Sequence, residues 1–154
     1  MLRMGRKISE AIETTGVLPG VFHVMPERSL VKGSTFYFHH HAWQNKYRYI
    51  TNDNIFNIND QVNALLNQYG DSQNRYYLLI VEYPGRKKAR KALRKARKAF
   101  SKSLKGKRVG QDEDGLWLGL DLEQQMLMFV FDAPSDKEAT YLLDRTAENY
   151  DQMR

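Results

Sequence analysis

Residues 86–105 constrain any fold more than the rest of the chain. Ala89, Ala92, Leu93, Ala96, Ala99, Phe100 and Leu104 recur at every third or fourth position, and Lys or Arg fills most of the places between them. That spacing predicts an amphipathic helix. Pro84-Gly85 marks its start, because neither residue favours continuing a strand into a helix. The apolar stripe is mostly alanine, which buries little area by itself. Such a helix has to lie close against a larger apolar surface, and a sheet is the natural candidate.

The same segment concentrates charge. Residues 86–108 hold 13 Lys or Arg and no acid, within a chain of net charge +6. Residues 109–154 hold 3 basic and 11 acidic residues, and residues 1–85 hold 8 basic and 7 acidic ones. Like charges sit four apart at Arg86/Arg90, Lys87/Lys91, Arg90/Arg94, Lys91/Lys95, Arg94/Lys98 and Lys98/Lys102. On an isolated helix each such pair costs about 0.2–0.5 kcal/mol. Arg86, Lys87 and Lys88 also stand at the positive end of the helix dipole, where anions are preferred. Something negative should offset this charge. The internal candidate is the acidic 109–154 region. The external candidates are nucleic acid, lipid headgroups or an acidic protein. A small anion at the helix N-terminus beside Pro84-Gly85 is a third possibility.

The surrounding pattern supplies the sheet. Tyr76–Tyr83 and Met126–Phe131 are dense apolar runs of strand length, and Leu116–Leu122 is a third strand candidate. Glu123-Gln124-Gln125 connects the last two. Ser135 with Glu138 matches a capping box and predicts a final helix burying Ala139, Leu142, Leu143, Thr146, Ala147 and Tyr150. From about residue 75 the order is strand, helix, strand, strand, helix, a ferredoxin-like split β-α-β unit.

Ser34–Trp43 and Tyr47–Thr51 read as a hairpin turned at Gln44-Asn45-Lys46. Val62, Leu65, Leu66 and Tyr69 have helical spacing, with Asn59 or Asp60 as cap and Gly70 as stop. Residues 3–14 have the pattern of a short lead-in helix. The expectation is one soluble α+β domain over 1–154. It divides into a lead-in (1–30), a hairpin with a short helix (34–70) and the strand-helix-strand-strand-helix unit (75–152). The sheet is expected to be antiparallel or mixed, with helices mainly on one face.

Several chemistries are excluded or weak. The chain of 154 residues has no cysteine, so thiolate catalysis, cysteine zinc sites and iron–sulfur clusters are absent. No apolar stretch approaches the ~18 residues of a membrane span. No apolar run follows the first basic residues, so the chain as written reads as cytoplasmic, or as exported if it is part of a longer precursor. Asn52-Asp53-Asn54 and Asp112-Glu113-Asp114-Gly115 lack the downstream Glu of a calcium loop, and Asx turns explain them better. There is no nucleophile elbow and no glycine-rich phosphate loop. No cofactor is implied. His39 and His41 would share one side of a strand and form half of a metal site, with His23 or a carboxylate completing it.

Leu18-Pro19, Phe36–Trp43 with Tyr47–Ile58, Leu79–Pro84, Asp114–Trp117 and Val130–Ser135 occur in an order that resembles the C-terminal half of an uncharacterised bacterial domain family. Its members are often larger, and many look exported or lipid-anchored. The shared motifs are strand ends, turns and a cap, so the resemblance implies no functional residue.

Three functional classes follow. The first is a non-catalytic interaction or accessory domain. Its basic helix, through Arg86, Lys87, Lys88, Arg90, Lys91, Arg94, Lys95 and Lys98, contacts an anionic partner or docks on its own acidic half. The alternatives are an enzyme or metal protein using the His39/His41 strand, and a nonspecific nucleic-acid or anionic-membrane-surface binder. Single-strand binders interleave cations with exposed aromatics. The basic helix itself offers only Phe100, on its inner side.

Overall fold

The computed structural model describes residues 19–154; the helix expected over 3–14 lies outside them. A 3-10 turn at Gly20–His23 is followed by β1 (Phe36–Phe38) and a second 3-10 turn at His41–Asn45. Then come β2 (Asn63–Gly70), β3 (Arg75–Glu82), α1 (Arg86–Ala99) and the single turn α2 (Ser101–Leu104). The chain ends with β4 (Val109–Gln111), β5 (Trp117–Glu123), β6 (Met126–Ala133) and α3 (Asp136–Met153).

The strands form one six-stranded sheet in the order β1-β2-β3-β6-β5-β4. Every neighbouring pair is antiparallel. β3 and β5 therefore run parallel with β6 between them, and the chain crosses from one to the other through α1. The strand-helix-strand-strand-helix order expected from residue 75 onward is thus met with one extra edge strand, β4, between α1 and β5. The protein has an α+β fold, and among the described residues no helix is long and apolar enough to cross a membrane.

The helices do not share a face. Leu79 and Val81 of β3, with Leu127, Phe129 and Phe131 of β6, pack with Ala89, Ala92 and Ala96 of α1. The alternate residues Leu78, Ile80, Met126, Met128 and Val130 pack with Ala139, Leu142, Leu143 and Tyr150 of α3. The expectation of helices mainly on one face is thus corrected. Its physical reason was already present in β3 and β6, which are apolar at consecutive positions and need cover on both sides.

Residues 62–69 form no helix. All but Val62 belong to β2, which pairs with β3 from Asn63↔Glu82 to Gly70↔Arg75. Ala64 and Leu66 face α1 while Leu65 and Tyr69 face α3. A strand buried on both sides carries no period of two, so its apolar residues mimicked helical spacing. Asn59 accepts a bond from Gln61 N at 2.8 Å in an Asx turn and caps no helix. The β2–β3 turn requires Gly70, whose φ is +94° and where a Cβ would sit 1.9 Å from Asn74 O.

The expected 34–51 hairpin is also absent. β1 pairs with β2, and residues 47–51 form no strand. Buried Gln44 donates to Thr51 O and Asp53 O, each at 3.1 Å. Asn45 donates to Thr51 O at 2.9 Å and accepts from Ile50 N at 2.7 Å. These side-chain amides take the backbone partners that a second strand would need. The short strand β4 had no apolar signal in the sequence.

The capping box is half realised. Ser135 Oγ accepts from Glu138 N at 3.1 Å. The Glu138 carboxylate turns instead to Arg28 at 3.1 Å and to the Tyr76 hydroxyl at 3.2 Å.

Candidate functional site

α1 forms without help from its N-terminus. Gly85 is the N-cap in an extended conformation and contributes no side-chain cap bond, and the first turn contains no acid. The helix is held by alanine's high helix propensity and by Ala89, Ala92 and Ala96, all fully buried on the sheet. Leu93 and Phe100 pack at the edge of the same cluster, whereas Ala99 is exposed.

Arg86, Lys87, Lys88, Arg90, Lys91, Arg94, Lys95 and Lys98 are all exposed on the opposite side of α1. Three of them reach neutral acceptors. Arg86 donates to Gln124 Oε1 at 2.6 Å and Lys88 to Gln61 Oε1 at 3.3 Å. Lys95 donates to Asn54 O at 2.9 Å and Asn57 Oδ1 at 3.1 Å. Among the described residues, the ion pairs involve Arg28, Arg48, Arg108 and Arg145, and none involves these eight.

The internal candidate for neutralising the basic run is therefore confined to its last residue. Arg108 pairs with Asp121 at 2.5 Å and with Asp144 of α3 at 2.6 Å. α1 itself lies across the sheet from acidic α3, with two buried layers of side chains between them. Acidic α3 therefore supplies no carboxylate to the exposed face of α1 among the described residues.

The histidines do not combine as a strand would arrange them. β1 ends at Phe38, and His40 caps the 3-10 turn that His41 begins. His39 Nδ1 lies 2.7 Å from Val62 O, and its ring meets Tyr37 edge-on. His41 stacks on His40 at 4.7 Å. Among the described residues, no group of three His, Asp or Glu side chains is placed to hold a metal ion.

A second feature was hidden from sequence reasoning. Opposite Leu118 of β5, the sheet register shifts between Trp117 and Gly119, so that Phe131 and Asp132 of β6 together face one residue. Asp132 adopts φ +61° at this bulge. Asp tolerates that left-handed conformation better than most non-glycine residues. Its side chain is only 10% exposed and pairs with Arg48 Nε at 2.6 Å, leaving Oδ1 buried without a hydrogen-bond partner. Burial raises its carboxyl above the usual carboxylate range, against the opposing pull of Arg48.

This pair ties the 40–58 loop to the α1 side of the sheet. Tyr47 and Ile50 pack on the α1 cluster, and the Tyr47 hydroxyl donates to Ser34 O. Tyr49, between Arg48 and Ile50, is 61% exposed.

Between this loop, the C-terminal end of α1 and the β4–β5 turn lies an open groove of about 800 Å³. Phe100, Ile50 and Leu118 line it above the stacked rings of Phe129 and Phe131. Arg48, Lys102 and Lys105 contribute cations to its lining, and Asp112, Glu113 and Asp114 contribute carboxylates. Asp112 Oδ1 accepts from Asp114 N at 2.9 Å and Leu116 N at 3.0 Å, which makes this an Asx turn and holds the acidic rim in place.

The eight cations of α1 were legible as one face, and the structure leaves them on one face. Arg48, Ile50 and the acidic turn were not legible as parts of a site, because no local pattern relates residues 48–50, 100–105 and 111–114. No family model, curated protein or solved structure matches the chain, so the geometry alone carries the functional reading.

Proposed function

We propose that this is a non-catalytic interaction domain that docks through the exposed face of α1 on a phosphate-bearing polyanion. One observation carries the reading: eight exposed cations on one helix have no carboxylate partner among the described residues. A chain that neutralised this helix internally would gain back the ~0.2–0.5 kcal/mol lost at each like-charge pair. Keeping the charges unpaired makes sense where a partner supplies the anions. The 14 residues of α1 rise about 21 Å, a length that spans several phosphates of a nucleic-acid strand. Lys102, Lys105 and Lys107, all exposed, extend the basic path beyond α1.

The test is fluorescence anisotropy with labelled single-stranded and duplex oligonucleotides at about 50 and 200 mM salt. Engaging roughly five phosphates should lower affinity about a hundredfold or more between the two conditions. Replacing Arg90, Arg94 and Lys98 together by Gln should weaken binding at low salt and flatten the salt dependence. Absence of binding at about 50 mM salt, or affinity indifferent to salt, refutes the reading.

A further inference from the structure

We infer that the groove at the C-terminal end of α1 accepts an unpaired nucleobase, which makes the domain selective for single-stranded nucleic acid. This rests on the phosphate-binding reading of α1 and adds what that reading lacks, a place for bases. The exposed basic residues of α1 lead through Lys98 to Lys102 and Lys105, and the last two line the groove. A strand whose phosphates follow this path brings its bases to the groove mouth.

The groove has the chemistry of a base site. Its volume of about 800 Å³ lies within the roughly 300–1,000 Å³ of small-molecule pockets. Phe100 is half-buried on its wall, with Phe129 and Phe131 stacked beneath it. Aromatic faces of this kind stack on any base. The Arg48 guanidinium offers a planar cation beside them, held in place by Asp132 at 2.6 Å.

One part of the rim is acidic, which would repel a backbone but suits a base edge. Ring N–H and exocyclic amino groups are donors, and a carboxylate accepts from them. Glu113 and Asp114 are exposed at that rim. Cations and acceptors in one groove therefore suit a nucleotide, with its phosphate on Lys102 and Lys105 and its base edge on the carboxylates. A base held in a duplex cannot enter without first leaving its stack and its partner.

The test compares one labelled oligonucleotide in three forms, single-stranded, duplex and abasic, against the full chain at about 50 mM salt. The abasic strand keeps the phosphates and removes the bases. Wild type should bind the normal strand roughly tenfold more tightly than the abasic one, the order expected for one stacked base. Phe100→Leu should lose most of that advantage while binding duplex and abasic strands as wild type does. Leu keeps apolar packing at this half-buried position and removes the aromatic face, and circular dichroism checks that the fold is intact. The pair Glu113→Gln and Asp114→Asn should change the preference among homopolymer strands without weakening abasic binding. Equal affinity for normal and abasic strands overturns the base site while leaving phosphate binding standing. Absence of binding to all three forms overturns both, and capture by vesicles of anionic lipid in that case would identify a membrane surface as the partner.

Discussion

The two faces of the sheet solve the same packing problem in opposite ways. On one face the helix is small and the sheet is large: Ala89, Ala92 and Ala96 of α1 lie on Leu79, Phe129 and Phe131. On the other the helix is large and the sheet gives way. Leu142, Leu143 and Tyr150 of α3 pack where β5 carries Gly119, and a Cβ there would meet Leu143 Cδ1 at 2.9 Å. The faces differ equally in charge. α3 has a side-chain N-cap, acids in its first turn and ion pairs from Arg28, Arg108 and Arg145. α1 has no side-chain cap, cations in its first turn and no carboxylate partner among the described residues. One helix is built for stability. The other spends local stability to keep a charged surface open, a pattern expected where a surface binds something.

The largest effect that would test this contrast is Leu143→Ala. It removes a fully buried side chain and should cost ~2–5 kcal/mol in a chemical denaturation midpoint, because the space over Gly119 cannot close. A cost below that range would mean that α3 is not the tightly packed helix. Next in size is Ala92→Leu, which adds bulk where α1 touches the sheet. It should destabilise by ~1–3 kcal/mol through overpacking, and neutrality would show that α1 does not need its close approach. Smallest is Arg94→Gln, which relieves the repulsions with Arg90 and Lys98. It should stabilise by ~0.5–1 kcal/mol at low salt and lose that gain at about 1 M salt, where charges farther apart than ~3 Å are screened. Destabilisation at low salt would reveal an anionic partner within the chain and remove the asymmetry between the helices.

The elements that were legible share one property. β3, β5, β6, α1 and α3 each carry a signal within their own residues: an apolar run, an alternating stripe or a Ser135-type cap. β2 carried a misleading signal because Leu65 and Leu66 are buried on opposite faces. The 47–51 segment failed as a strand because Gln44 and Asn45 captured its backbone groups. Both errors arise where tertiary contacts override local preference.

The site divides along the same line. Composition and helical spacing alone determined that residues 86–98 present a continuous basic face, because side chains three and four apart on a helix must be neighbours. They also excluded cysteine chemistry and the common phosphate and nucleophile motifs. Only the tertiary structure decided that acidic α3 lies beyond the sheet from that face, and that Arg48, Ile50, Phe100 and the 112–114 turn line one groove. Sheet order and the connection of β3 through α1 to the edge strand β4 set those relations. They are properties of how distant strands pair, and no stretch of sequence carries them by itself.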